Sequence, residues 1–418
     1  MRTCVVGLAA ALAVLGAIGA DAPRGVVIEV EAGPHPRHQT PVVLPWPDSL
    51  ERGKPLSVED LEARKKVDAQ VVGAETREVA FLLADLPAGA RRRFRLVAAD
   101  APSSTPNVLC AGDGKGFAFL VNGHVAFQYN QATIEPPKGL DPVYRRSGFI
   151  HPLTTPSGRV VTADFPPDHA HQHGLFFAWV NTTFDGHKVD FWNQPSRTGR
   201  VRHLDTQDIE TGPVLGLYQG RLRHEDITGK AAPVPVLDEI WTLRVYNRSD
   251  CYLVDFESVQ TCAGARPLEL NQYLYGGLGL RGTSAWFDPK ADGENLPDPS
   301  RNNQSDFLTS EGKTRANGNH TRPRWVDLSG KLGGQFAGVT ILDHPSNFRF
   351  PQPVRLHPNK PYLSVAPEVV GSFRIEPGHS YISRYRLVLH DGPPDPKALD
   401  ALWQDYAEPP VARLVKGQ

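Results

Sequence analysis

The chain has 418 residues, with 45 Lys and Arg against 46 Asp and Glu and a formal net charge of -1 before its 15 histidines are counted, so no basic face for nucleic acid is expected. Hydrophobic residues at 40% and charged residues at 22% are ordinary globular values; they exclude a disordered chain and leave room for one large domain or two smaller ones. The 38 glycines and 38 prolines exceed the usual share and favour many turns over long helices, which makes an all-β architecture the expectation from composition alone.

Arg2 precedes an uncharged, Ala-rich run over residues 5–20, and Ala17, Gly19, Ala20 and Ala22 offer small-residue cleavage positions. This is the pattern of a Sec-type signal peptide over residues 1–20, shorter than the roughly 20 apolar residues that a membrane span needs. Nothing after Asp21 approaches a spanning length, so the expected mature protein is secreted or periplasmic, with no membrane span after cleavage. Cys110, Cys251 and Cys262 then remain, an odd number, and the last two fall at opposite ends of one expected strand. Buried free thiols are expected instead of a disulfide framework.

Residues 21–105 carry short alternating segments, VVIEVE, TPVVLPW, REVAFLLADL and RRRFRLVAA, that read as a small N-terminal β-sandwich. Within them, residues 57–67 also allow a short helix, capped by Ser57 with Asp60 three positions on. Residues 100–107 are a Pro- and Ser-containing linker into a main β-supersandwich domain over 106–395. There, residues 237–246 and 251–259 alternate around a turn at 247–250 and form a hairpin. Residues 288–320 are polar, rich in Asn, Asp and Gly, and read as a long surface loop. In the last expected strand Tyr381, Ser383, Tyr385, Leu387 and Leu389 share one face, with Ile382, Arg384, Arg386, Val388 and His390 on the other. Only residues 396–418 show a helical pattern, Leu399, Leu402, Trp403 and Tyr406 at i, i+3, i+4 and i+7.

The densest polar cluster is Asp168-His169-Ala170-His171-Gln172-His173-Gly174. An extended backbone would put His169, His171 and His173 on one face, where three imidazoles suit an acid/base relay near neutral pH or, with Asp168 fixing a tautomer, a divalent metal site. A continuous strand from His169 to Asn181 would be too long, so the histidines are placed at the rim of a sheet, ahead of Leu175, Phe177, Trp179 and Asn181. A second cluster sets Asn271, Tyr273 and Tyr275 on one strand face, followed by Gly276, Gly277 and Arg281. A third, Asp343-His344-Pro345-Ser346-Asn347 with Arg355 and His357 further on, reads as an irregular binding loop whose arginine suits a carboxylate or vicinal oxygens. Trp179, Trp192 and Trp325 add flat apolar faces of the kind that hold sugars. Asp255 and Glu257 share a strand face and read as solvated. Phosphate loops, a nucleophile elbow and CxxC zinc spacings are absent.

The segments Ile150-His151-Pro152-Leu153, Thr155-Pro156-Ser157-Gly158, DFPPDHAHQHGLFFAWVN, DHPSN and RYRLVLHDG resemble a family of secreted bacterial proteins labelled "methane oxygenase PmoA", distinct from the polytopic membrane monooxygenase subunit of that name. The resemblance covers about residues 26–406 and implies a layout similar to the galactose-mutarotase-like β-supersandwich of aldose epimerases, polysaccharide lyases and glycoside hydrolases. On that footing the expected function is a secreted carbohydrate-active enzyme. His151, Asp168, His169, His171, His173, Tyr275 and His344 would supply acid–base chemistry, and Trp179, Asn181, Trp192, Asn271, Tyr273, Arg281, Asn347, Arg355 and His357 would hold the sugar. The alternatives are a metal-dependent enzyme with His169, His171 and His173 as ligands, and a non-catalytic sugar-binding envelope protein.

Overall fold

A computed structural model describes residues 25–48, 50, 54–73, 77–98, 106–229, 232–287 and 304–415. The expected signal peptide, most of the 100–107 linker and residues 288–303 of the expected long loop lie outside them. The protein is all-β, and every paired strand among the described residues runs antiparallel.

Two eight-stranded sheets make the main body. The first, called here the site sheet, runs in the order Val354–Leu356, Tyr362–Val365, Gly277–Arg281, Leu175–Ala178, Phe149–Leu153, His124–Asn130, Gly116–Val121 and Val108–Gly112. The second, the back sheet, runs Gly199–Glu210, Leu215–Asp226, Val234–Tyr246, Tyr252–Cys262, Tyr381–Asp391, Gln335–Asp343, Trp325–Leu332 and Ser305–Thr309. Alternation along these strands sends one set of side chains inward, so Phe127, Tyr129, Leu175 and Phe177 meet Trp241, Phe256, Tyr385 and Leu387 in one continuous core. Trp241 packs edge-on to Phe256 with centroids 4.8 Å apart, and burying a side chain of this size contributes about 1.5–3 kcal/mol.

The expected hairpin is present, Val234–Tyr246 against Tyr252–Cys262 in register. So is the final strand, whose Tyr381, Ser383, Tyr385, Leu387 and Leu389 are buried. The terminal helix, Pro396–Ala407, starts where Asp395 accepts Lys397 N–H at 2.9 Å and Pro396 presets the first turn. Its apolar stripe covers the outer face of the back sheet, where Leu399, Leu402, Trp403 and Tyr406 pack with Leu253, Leu342 and Val388.

Two expectations fail for local reasons. Residues 57–67 form strands Leu56–Asp60 and Lys65–Val67, because Leu56 and Val58 alternate into a core and Asp60 accepts the Glu62 and Ala63 N–H groups in a turn. The supposed loop 288–320 contains the strand Ser305–Thr309, paired with Trp325–Leu332. The small sandwich sets a sheet of Val26–Glu31, Leu56–Asp60, Lys65–Val67 and Arg91–Ala98 against Thr40–Pro45, Ala69–Val72 and Glu78–Leu83. Val411–Leu414 returns from the far end of the chain to pair with Val26–Glu31, a closure that the tail's sequence does not announce. Cys110, Cys251 and Cys262 are free thiols.

Candidate functional site

The site grows out of the long connection between Phe149–Leu153 and Leu175–Ala178. Its first part lies along the sheet, with Ala163 N–H donating to Arg281 C=O at 3.1 Å and Gly174 N–H to Ala163 C=O at 2.8 Å. Gly174 is required here, since its φ is +53° and an added Cβ would collide with the Ile150 carbonyl. Between these stitches the chain turns tightly, His169 N–H donating to Pro166 C=O at 3.0 Å and Gln172 N–H to His169 C=O at 2.9 Å.

Those turns replace the extended backbone on which a three-histidine face depends. Asp168, His169 and Gln172 lie toward Arg281, whereas His173 turns into the interior and packs edge-on to Phe165 at 4.8 Å. Its Nδ1 meets Asp164 Oδ1 at 2.6 Å and its Nε2 meets Gln194 Oε1 at 3.1 Å, so both nitrogens are used. The metal triad of His169, His171 and His173 is therefore not formed, and no group of three His, Cys, Asp or Glu side chains among the described residues has metal-holding geometry. His151 stands with this inner branch, its Nδ1 on Thr162 Oγ1 at 2.9 Å.

The outer branch centres on one ion pair. Arg281 is fully buried on the site sheet and forks onto Asp168, Nη2 to Oδ1 at 2.7 Å and Nη1 to Oδ2 at 3.0 Å, with Nη1 also donating to Gln172 Oε1 at 3.0 Å. Lys360 Nζ stands 3.4 Å from the same carboxylate, and His169 Nδ1 3.1 Å. Burial alone would raise the Asp168 pKa; the His169 hydrogen bond and the Arg281 and Lys360 charges outweigh it and hold the carboxyl well below the usual range.

Around this pair stand two uncharged imidazoles. Burial, then the neighbouring His169, His173 and Arg281, push His171 down to about 3. Burial, then Lys360, Arg355 and His169, push His357 down to about 3 as well. The His169 ring lies 5.4 Å from His171 and 6.2 Å from His357. Asn359 N–H donates to His357 Nδ1 at 3.3 Å, which places the ring proton on Nε2.

Cross-strand register assembles the adjoining surface. Arg281 lies opposite Tyr362, and Gly279 opposite both Ser364 and Phe176, while Ser364 lies opposite Arg355, so these six share the outer face. Trp192 lies on Gly279, its ring 4.5 Å from Phe176, 5.6 Å from Tyr275 and 6.0 Å from Tyr362. Trp192 Nε1, Tyr362 Oη and Ser364 Oγ are buried; the two hydroxyls neighbour each other, and none of the three has a further hydrogen-bond partner among the described residues. Burial raises the phenols of Tyr275, to about 12, and Tyr362, so both stay protonated.

The second cluster joins this surface through Asn193, which donates to Tyr275 Oη at 3.2 Å and to Asp190 Oδ2 at 2.8 Å. Asp190, Asn181 and Tyr273 line a cavity of about 250 Å³ with Lys188, Ser196 and Thr198. Asn271 is spent on structure, donating to Asn181 C=O and Thr183 Oγ1 at 3.0 Å each.

Four expected contributors fall elsewhere. Trp179 is wholly buried between the sheets with its Nε1 on Gln260 at 2.7 Å, and offers no face to a ligand. His344 packs on Tyr406 of the terminal helix at 4.9 Å, and Asn347 bridges Asp343 and the Arg384 backbone. Trp325 is likewise buried under that helix. Lys360, Tyr362, Ser364, Gln172 and Asn193 are the members that sequence reading misses; the only signal is the alternation Tyr-Leu-Ser-Val, which puts two hydroxyls on one face of an apolar strand.

The model of the family of unknown function DUF6807 matches residues 117–404. The chain belongs to that family. The match takes in the turn segment, Trp192, Tyr275, Arg281 and the whole 355–364 segment, and leaves out the small sandwich. No curated protein matches the chain in sequence. Among solved structures it is similar in layout to an alpha-mannosidase from Enterococcus faecalis V583, at 11% identity and a TM-score of 0.45, over 94% of this chain and 46% of that one. A protein of glycosyl hydrolase family 38 from Enterococcus faecalis gives 12% identity and a TM-score of 0.44, over 94% and 47%. The chain thus spans about half the length of these structures.

Proposed function

We propose that this DUF6807 member is an exported carbohydrate-active enzyme that moves a proton at a sugar carbon, as a lyase or an epimerase does. The observation that carries this reading is the pairing of two uncharged imidazoles, His171 and His357, with protonated phenols, Tyr275 and Tyr362, around the fixed Asp168–Arg281 pair. The uncharged His171 has a lone pair to accept a proton, whereas the His357 lone pair takes the Asn359 N–H and leaves its Nε2–H to donate; a protonated phenol can return a proton from another direction. Arg281 and Lys360 are fixed on Asp168 before substrate arrives and make the neighbourhood of these imidazoles cationic, which favours the negative charge that develops once the carbon loses its proton. Tyr275, only partly buried, supplies a flat apolar surface of the kind that C–H faces of a sugar pack against, and the wholly buried Trp192 supports it edge-on. Export rests on the leading segment and on the resemblance to the secreted family labelled PmoA; no helix among the described residues is long and apolar enough to cross a membrane.

The test is turnover by wild type, His171→Ala, His357→Ala and Tyr362→Phe, using a panel of oligosaccharides and reducing sugars with products separated by chromatography. The expected loss in kcat is about 10²–10⁴-fold for the residues that carry the proton. Equal turnover by all four proteins would overturn the mechanism, and ligand-induced thermal stabilisation without product would make the protein a sugar binder instead.

A further inference from the structure

We infer that the sugar taken by this site carries a carboxylate, and that Arg355 is the group that holds it. The inference rests on the carbohydrate reading above and names its substrate class.

Arg355 is half-buried on the edge strand Val354–Leu356 of the site sheet, and it makes no ion pair or hydrogen bond among the described residues. Other interior guanidiniums are engaged: Arg37 by Asp405 at 2.9 Å, Arg386 by Asp255 at 2.5 Å, Arg248 by Asp250 at 2.7 Å, Arg315 by the His357 and Lys360 carbonyls at 2.6 and 2.8 Å. Arg355 instead shares its face with Ser364, directly opposite, and with Tyr362, one pair further along. The buried Ser364 Oγ and Tyr362 Oη neighbour each other and have no further partner among the described residues, and Trp192 Nε1 on the same face has none. Over these buried groups the half-buried Arg355 guanidinium presents a planar fork of donors with no carboxylate across the strands, and the group that complements it is an acceptor-rich anion.

The chemistry of proton removal points the same way. A carbon next to a carboxylate loses its proton when that carboxylate is bound by cations, because the electron pair left by the broken C–H bond delocalises onto its oxygens. The proton goes to an imidazole nitrogen and the charge to the Arg355 end of the site. His171 is held uncharged by burial and by the repulsion of His169, His173 and Arg281, and an anion bound nearby weakens that repulsion and brings its basicity toward the working range.

The experiment measures binding by calorimetry and turnover by chromatography for oligomers of glucuronate and galacturonate, their neutral counterparts, and sulfated neutral oligomers. Wild type, Arg355→Gln and Arg355→Lys are compared after each is shown to keep the wild-type Tm. The expected result is a preference of about tenfold or more for a uronate in wild type. It disappears in Arg355→Gln and returns in part in Arg355→Lys, which keeps the charge and loses the fork. Neutral sugars processed as well as uronates, or a uronate preference that survives Arg355→Gln, would overturn the inference while the carbohydrate reading stands. A preference for sulfated over uronate oligomers would overturn the carboxylate assignment, and no binding or turnover of any sugar would overturn both readings together.

Discussion

The outer faces of the two main sheets use charge in opposite ways. On the back sheet Asp255 lies directly across from Arg386 and Glu257 across from Arg384, paired at 2.5 and 2.7 Å, and Arg223 meets Asp238 in the same manner at 2.7 Å. The charges are paired within the sheet, although the buried Arg386 Nη1 has no hydrogen-bond partner among the described residues, and the terminal helix lays Tyr406 over Arg386 at 4.6 Å. On the site sheet Arg281 faces a tyrosine, Arg355 a serine, and the only carboxylate set among these cations, among the described residues, is Asp168, delivered from a loop. Cross-strand complementarity closes a face. Its absence at Arg355 leaves that guanidinium without a carboxylate across the strands, available to a ligand.

Removing one guanidinium from each face breaks the comparison most strongly. Arg281→Met leaves Asp168 buried without its fork, and a loss of about 3–5 kcal/mol is expected. Arg384→Met removes a pair whose side chains are about one-third exposed, 36% and 32%, for which less than about 1 kcal/mol is expected. Urea denaturation of both variants at pH 7 measures the difference, and equal losses would erase the distinction between the faces.

A second contrast concerns acids. Asp255 and Glu257 of the back sheet have cationic partners, but Glu368, beyond the strand Tyr362–Val365, is buried against Gly276 with neither carboxylate oxygen hydrogen-bonded. Burial raises its pKa from 4.5 to about 8. Between those values the folded protein keeps a proton that the unfolded chain has released, so stability falls as pH rises through that window, by at most about 1.4 kcal/mol per pH unit. Glu368→Gln is expected to flatten much of this slope and to raise the Tm at pH 8. Asp343, raised by burial to about 7, keeps a smaller slope of the same sign. An unchanged Tm–pH profile for Glu368→Gln would show that the buried acid does not govern it.

The fold was legible because alternation is local: strands such as Leu215–Asp226, Val234–Tyr246 and Tyr381–Asp391 carry it over eleven residues or more, and the capped helix carries its own stripe. The site was legible only in part. Arg281, His169, His171, His357, Tyr275 and Trp192 were among the candidates, yet their grouping depends on two turns at Pro166–Gln172 that break the period of two and send His173 inward. Trp179 misled because a core tryptophan and a ligand-binding one are the same in sequence; a buried glutamine on the back sheet, Gln260, decides which it is. His344 and Asn347 misled because proximity in the chain to Arg355 did not become proximity in space: the chain crosses from the back sheet to the site sheet between them. Tyr362 and Ser364 became visible only when register placed them beside Arg281 and Arg355.

The central claim is that the outer face of the site sheet binds a ligand at its Arg355 edge. The indole N–H resonance of Trp192 reads it directly. In ¹⁵N-tryptophan-labelled protein this signal is one of 7, assigned by its loss in Trp192→Phe. Titration with a uronate oligomer is expected to shift it saturably, through ligand held by Arg355 on the same sheet face, and to leave the indoles of Trp179 and Trp241, bonded to Gln260 and Glu239 between the sheets, nearly unmoved. Saturable binding that moves other resonances and leaves Trp192 in place would contradict the account.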